Sequence, residues 1–313
     1  MSIGTKPPAE IAIDEAMVRA LLREQHPDLA HLSLTSVGEG WDNHLFRLGD
    51  ELAVRMPRRA VAVALIENEQ RWLPLLSTRL PLAVPAVRRI GRPGCGFPWP
   101  WSITSWLPGR PALSSPLRDP SASALRLGQF VRALHHYAPK EAPHNPWRGV
   151  PLSARTEMLR AHIEQVSTRV DSIAVLELWD RCLSTGAWPG PPVWIHGDLH
   201  PGNLLVDDGR LSAVVDFGDL SAGDPATDLA VMWMLLPQVA WPAFVTSASG
   251  ELHASDPDLM MRARGWAVVF GLAYLANSRD DARMSAVGTA TLTAACGTEP
   301  TQSPDDSDQI IRR

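Results

Sequence analysis

The chain has 313 residues, 45% apolar and 20% charged, with a formal net charge of -5; that allows one large or two modest units with a real core and leaves no basic surplus for nucleic acid. Cys95, Cys182 and Cys296 are odd in number and far apart, so neither a disulfide framework nor a thiolate zinc site is signalled. The amino-terminal MSIGTKPPAE has no signal-peptide core and the longest apolar run, Ala267 to Ala276, is half a membrane span, so a cytoplasmic chain without a membrane partner is expected.

Apolar Ile13, Met17, Leu21 and Leu22 recur at helical spacing over Ile13 to Gln25, behind a cap at Asp14. From Leu34 the pattern turns to short strands: Leu34 to Val37, His44 to Leu48 and, after a Gly49-Asp50 turn, Glu51 to Met56. Between the first two lies Gly38-Glu39-Gly40-Trp41-Asp42-Asn43. It reads either as an ordinary hairpin turn or as a loop whose backbone covers phosphates, since glycine allows close approach to an anion. Val61 to Leu76 is helical, with Leu65, Asn68, Glu69, Trp72, Leu73 and Leu76 sorting onto faces. Leu82 to Ile90 and Trp99 to Trp106 read as strands around a turn at Gly91 to Pro98; Trp99, Trp101 and Trp106 suit core and hinge packing better than a stacking box.

Helices are then expected over Ser121 to His136, Arg155 to Arg169 and Ile173 to Leu183, with the Pro-rich stretch 139 to 152 as a candidate substrate-side insertion. At the end of the first, His135 and His136 read as partners of last-turn carbonyls rather than metal ligands. Thr227 to Leu236, Asp258 to Asn277 and Arg279 to Cys296 read as further helices, and the polar Gly297 to Arg313 as a disordered tail.

Most of the chemistry lies in residues 193 to 228. An apolar run, Val193-Trp194-Ile195, leads into a polar loop from His196 to Asn203; Leu204-Leu205-Val206 and Ala213-Val214-Val215 then flank an Asp208-Gly209 turn. The hairpin presents Asp198, Asn203 and Asp216, hard oxygen groups suited to an Mg2+ ion shared with nucleotide phosphates. Turn preference accounts for Asp207 and Asp208, but not for D-x-x-x-x-N and D-F-G recurring at hairpin spacing. His196, Asp198, Asn203 and Asp216-Phe217-Gly218 fall at the spacing of the kinase catalytic signature. Asp198 is the candidate to receive or orient the acceptor hydroxyl proton, and Asn203 and Asp216 are the candidate metal ligands.

The run His196-Gly197-Asp198-Leu199-His200-Pro201-Gly202-Asn203, with Val215-Asp216-Phe217-Gly218-Asp219 and Gly223-Asp224-Pro225, resembles the aminoglycoside phosphotransferase family. Gly197 stands where protein kinases have Arg, and Gly223-Asp224-Pro225 follows Asp216 within a dozen residues, which leaves little room for an activation segment. The resemblance implies an α+β, bilobal kinase-like fold, with a nucleotide lobe over residues 1–106 and a catalytic and substrate lobe over 107–296. It puts Gly38 and Gly40 over the phosphates, Arg55 against them with Glu69 as its ion-pair partner, and the Ser105 carbonyl and Leu107 amide on the purine. The family more commonly has Lys at the Arg55 position, and of 29 basic residues here only Lys6 and Lys140 are lysine.

The expectation is transfer of the gamma-phosphate of ATP or GTP to a hydroxyl of a small molecule. Seven Asp and one Arg between His196 and Asp228 leave Asp219 and Asp224 over to attract a cationic acceptor, such as an aminoglycoside, a macrolide amino sugar or a peptide antibiotic. A metabolite kinase of the choline, homoserine or methylthioribose type and a nucleotide-binding module without turnover are the alternatives. Oligomeric state is not encoded in any of these motifs.

Overall fold

In the computed structural model, which describes residues 6–297, the first helix, α1 (Glu15–Gln25), starts where the Met17 amide donates to the Asp14 carboxylate at 2.8 Å. It buries Val18, Leu21 and Leu22 against a meander of β1 (Leu34–Glu39), β2 (Asn43–Leu48) and β3 (Leu52–Pro57). After α2 (Val63–Leu76) come β4 (Val87–Gly91) and β5 (Trp101–Ser105), giving one antiparallel sheet in the order β1-β2-β3-β5-β4. Val54 of β3 lies opposite Phe46 and Ile103, and all three join α1 in the smaller core. Successive residues of a strand face opposite sides, so Arg55 turns the other way, toward Glu69 on α2.

The expected strand Leu82 to Ile90 is a strand only from Val87. Pro85 has no N–H to donate to a ladder, and Ala83 instead bonds to the second half of the chain, donating to the Ser212 carbonyl and accepting from the Val214 amide at 2.9 Å. The turn after β1 is also shorter than expected. Gly38 and Glu39 belong to the strand, where Gly38 at φ +143° and a register shift after Ser36 mark a bulge.

The second half contains β6 (Arg110–Pro111), α3 (Pro120–Leu134), α4 (Thr156–Val166), α5 (Ser172–Leu183), β7 (Val193–Ile195), β8 (Leu204–Asp207), β9 (Arg210–Val214) and β10 (Ser221–Gly223). It continues with α6 (Ala226–Leu229), α7 (Val231–Leu235), α8 (Trp241–Ala248), α9 (Glu251–Ala254), α10 (Leu259–Asn277) and α11 (Ala282–Cys296). The single helix expected over Thr227 to Leu236 is divided at Ala230, and Leu236 is extended because Pro237 follows it. Helices α8 and α9 occupy a stretch for which the sequence suggested no element.

These helices enclose the larger core, which also takes in Trp72, Leu73 and Leu76 of α2 and Leu82. Trp72 and Trp194 meet at 5.1 Å, so α2 and β7 share packing. Helix α10, 19 residues at mean hydropathy 1.2, is long and apolar enough to cross a membrane, but 78% of its apolar window is buried, which marks it as the central core helix. The expected tail lies, from residue 298 on, outside the described residues.

Candidate functional site

A cleft of about 470 Å³ opens between the sheet and the β8–β9 hairpin. Gly38, Gly40, Arg55, Ser105, Leu107, Asn203 and Asp216 all line it, so the structure gathers seven of the nine residues singled out from the sequence. Glu69 lies behind Arg55, and Asp198 adjoins the cleft through Asn203. Trp106 also lines it, under the Arg47 guanidinium at 5.1 Å, whereas Trp101 is fully buried. At the connector, the Trp106 amide is used by the Glu51 carbonyl at 2.7 Å, while the Leu107 amide has no backbone partner among the described residues.

Hairpin register explains why Asn203 and Asp216 meet. Leu204 pairs with Val214, so the residues just outside the ladder face each other, and the Val215 amide donates to the Asn203 carbonyl at 2.9 Å. Asp208 and Gly209 close the far end at φ +47° and +74°, the paired positive angles of a tight hairpin turn. Asp216 itself sits at φ +62°, a conformation that costs on the order of 1 kcal/mol and persists only where neighbours enforce it.

Arg55 is one such neighbour. Its Nη1 donates to Glu69, at 2.6 Å to Oε1, and its Nη2 to Asp216 Oδ1 at 2.8 Å. The guanidinium that the sequence pointed at phosphates thus bridges two carboxylates. Burial pushes the Glu69 carboxyl above its ordinary value, against the pull of Arg55. Glu67, two positions away on α2, is exposed. Over the cleft, Arg58 donates to the Gly40 carbonyl at 2.9 Å and to Glu39 at 2.6 Å, and Arg59 to Asp42 at 2.5 Å. These arginines staple the glycine turn, a role that no motif in the sequence marks.

The loop from His196 to Asn203 hangs from one buried carboxylate. The His196 and Gly197 amides donate to Asp228 at 2.7 and 2.8 Å, which makes Asp228 a loop brace as well as a helix-start residue. Gly197 is at φ +84°, and a Cβ there would lie 2.7 Å from the Asp219 carbonyl oxygen, so an L side chain is excluded twice over. The Asp198 amide donates to His196 Nδ1 and His196 Nε2 donates to the Val215 carbonyl at 3.1 Å, which ties the loop to the strand that leads into Asp216.

Around Asp198 the partners are Arg148, whose Nη2 is 3.3 Å from Oδ1, His200, whose Nε2 is 3.4 Å from Oδ2, and Asn203 Nδ2, also 3.4 Å from Oδ2. The Gly202 amide donates to His200 Nδ1, which fixes the proton on Nε2, facing the carboxylate. Burial raises the Asp198 carboxyl, but His200, Arg148 and His196 outweigh it and hold the group well below the usual carboxylate range. The two carboxylates expected to be left over are committed: Asp219 accepts from Asn145 at 2.6 Å, and Asp224 is buried against Arg262 at 2.7 Å, together with Asp256.

His136 bonds the Leu134 carbonyl as expected, but His135 does not. Its Nε2 lies 3.1 Å from Asp228 and its Nδ1 3.0 Å from His253 Nε2, while His253 Nδ1 donates to the Ala248 carbonyl. Burial, with His135 alongside, pushes the His253 imidazole from 6.5 to about 4. An unfolded chain therefore takes up this proton at a higher pH than the folded one. Stability is full above about pH 6.5 and falls toward pH 4, by roughly 3 kcal/mol in all. Urea midpoints at pH 7.5, 6 and 5 should show the decline, and His253→Gln should flatten it; an unaltered pH dependence in that variant contradicts the assignment.

The description "Phosphotransferase enzyme family" fits residues 33–265. Among curated proteins, the aminoglycoside 3'-phosphotransferase of Escherichia coli is 24% identical over 164 residues, 50% of this chain and 60% of that protein. The viomycin phosphotransferase of Streptomyces vinaceus is 28% identical over 149 residues, 42% of this chain and 49% of that one. The matched segments thus span less than two thirds of these relatives. Of solved structures, the GDP complex of aminoglycoside 2'-phosphotransferase-IIIa superposes with a TM-score of 0.67 at 20% identity, covering 90% of this chain and 97% of that one. The macrolide 2'-phosphotransferase of Brachybacterium faecium gives 0.56 at 25% identity, covering 90% and 99%. These likenesses bear out the α+β, bilobal kinase-like fold, and with a family match over most of its length the chain belongs to the phosphotransferase enzyme family.

Proposed function

We propose that this protein transfers the gamma-phosphate of ATP or GTP to a hydroxyl of a small molecule. One observation carries the reading: Asn203 and Asp216 face the same cleft as Arg55 and the glycine turn, with Asp198 touching Asn203 from the other side. Nucleotide lies in that cleft, between a lobe of residues 1–106 and a lobe of residues 107–296. The Ser105 carbonyl and Leu107 amide hold the purine, and Gly38 and Gly40 cover the phosphates. Arg55, paired with Glu69, supplies positive charge beside them. Such chemistry depends on alignment and charge neutralisation more than on covalent steps.

The donor set fits Mg2+. Asn203 commits Nδ2 to Asp198, leaving Oδ1 for a cation, and Asp216 gives only Oδ1 to Arg55. Among the described residues no three His, Cys, Asp or Glu side chains gather into a cage, so Asn203 and Asp216 would be the protein's share of the ion's ligands. When bound, Mg2+ neutralises the charge of the transferred phosphoryl group. Asp198, bonded to the Asn203 amide, orients the acceptor hydroxyl and takes its proton.

We infer an antibiotic acceptor of the kind named for the relatives, an aminoglycoside, a macrolide or viomycin, and a cytoplasmic setting in which nucleotide is available. Recognition of a cationic acceptor falls to groups other than Asp224, which is buried against Arg262. The test is gamma-phosphate consumption with Mg2+ and ATP or GTP against a panel of these antibiotics and of metabolite alcohols. Acceptor-dependent turnover with at least one antibiotic is expected. Nucleotide binding with no acceptor consumed would instead make this a binding module.

A further inference from the structure

The stretch 139–151 forms neither helix nor strand, yet it is held at several points along the chain that follows the cleft's Asp216. The Ala222 amide donates to the Pro143 carbonyl at 2.8 Å, and Asn145 Nδ2 to Asp219 Oδ1 at 2.6 Å. The Asp224 amide donates to the Gly149 carbonyl at 2.9 Å, and the Gly149 amide to Thr227 Oγ1 at 3.1 Å. Gly149 is at φ +65°, and a Cβ on it would lie 2.8 Å from the Gly223 Cα and 2.7 Å from the Ile195 side chain. Two glycines, 149 and 223, thus let two backbones touch where no side chain fits.

Between Asn145 and Gly149 this anchored segment carries Arg148. Its guanidinium is 5.0 Å from the Phe270 ring centre, 4.0 Å from Asp219 Oδ2 and 3.3 Å from Asp198 Oδ1. A cation placed over an aromatic face and beside two carboxylates is restrained on three sides. On its other side the Asp198 carboxylate meets only donors that are themselves fixed, His200 Nε2 and Asn203 Nδ2.

We propose that Arg148 is a positioning residue for phosphate transfer: it fixes the rotation of the Asp198 carboxylate, so that one oxygen is held ready for the acceptor hydroxyl. The proposal rests on the reading that Asp198 handles that hydroxyl. Misplacement of a reacting group by about 1 Å is enough to lower a rate by roughly 10²-fold, and an untethered aspartate has that freedom about its side-chain bonds. Residues 139–151 therefore act on the catalytic loop as well as beside the acceptor.

The experiment compares wild type, Arg148→Ala, Arg148→Lys, Asp198→Asn and the double variant Arg148→Ala/Asp198→Asn. Each is given Mg2+–ATP and the most rapidly consumed alcohol of the antibiotic and metabolite panel, or water if none is consumed. Arg148→Ala should lower kcat on the order of tenfold to 10²-fold with KM for ATP unchanged. Arg148→Lys, or guanidinium added to the Ala variant, should recover part of it. In the Asp198→Asn background the Arg148 change should have no further effect, because both act through one carboxylate. Additive losses, or an Arg148→Ala variant with wild-type kcat while Asp198→Asn is inactive, overturn the proposal alone. A fully active Asp198→Asn, or a wild type inert toward every acceptor and water, overturns the reading beneath it. Arg148→Lys keeps the comparison open should the Ala variant fold poorly.

Discussion

Asp198→Asn should lower phosphate transfer by roughly 10²- to 10⁴-fold, the range that a positioned proton acceptor contributes, while nucleotide affinity should stay within about twofold of wild type, a change of under ~0.5 kcal/mol. The carboxylate is nearly isosteric with the amide, so the loop should survive. Its shape is set by the Asp228 bonds to the His196 and Gly197 amides and by the Asn203 bond to the Asp198 backbone carbonyl at 3.0 Å, none of which uses the Asp198 side chain. Asp198 is also absent from the lining of the cleft proposed for the nucleotide, which is why binding and turnover should separate. Titration of ATP by calorimetry alongside turnover makes the comparison; a variant that loses nucleotide affinity in step with activity would place Asp198 on the metal instead.

Arg55→Met should be the most destabilising change at the cleft, by about 3–5 kcal/mol, the usual loss when one partner of a buried ion pair is removed. Glu69 is 2% exposed and depends on this guanidinium, so the variant leaves a carboxylate buried without its cation. Arg55→Lys should lose much less stability. Lysine offers one nitrogen where arginine reaches Glu69 through Nη1 and Asp216 through Nη2, so Lys should still weaken the hold on Asp216. Denaturant midpoints rank the two variants, and equal stability of Arg55→Met and wild type would remove the pair from any structural role.

The parts of the site readable in the sequence are those whose geometry is local. D-x-x-x-x-N spans one loop and the Asp208-Gly209 turn fixes the hairpin, while the pairing of Arg55 with Glu69 came from the resemblance to a kinase-like family rather than from spacing. What escaped depends on contacts between distant segments. Arg148 meets Asp198 across 50 positions, from a stretch with no periodicity to give its direction away. Helix-end rules favoured a carbonyl partner for His135, yet Asp228, 93 positions on, claims it. Counting charges suggested spare aspartates, because composition cannot reveal that Arg262, 38 positions after Asp224, is buried against it. The Pro85 interruption was visible as a residue, but its consequence, Ala83 crossing to β9, follows only from the assembled fold.

The most direct test of the central claim is calorimetric titration of a non-hydrolysable ATP analogue into wild type and Asp216→Ala, with and without Mg2+. If Asn203 and Asp216 hold the ion between protein and phosphates, Mg2+ should tighten binding to wild type by tenfold or more, about 1.4 kcal/mol, and do little for the variant. The same Mg2+ dependence in both proteins would contradict the account.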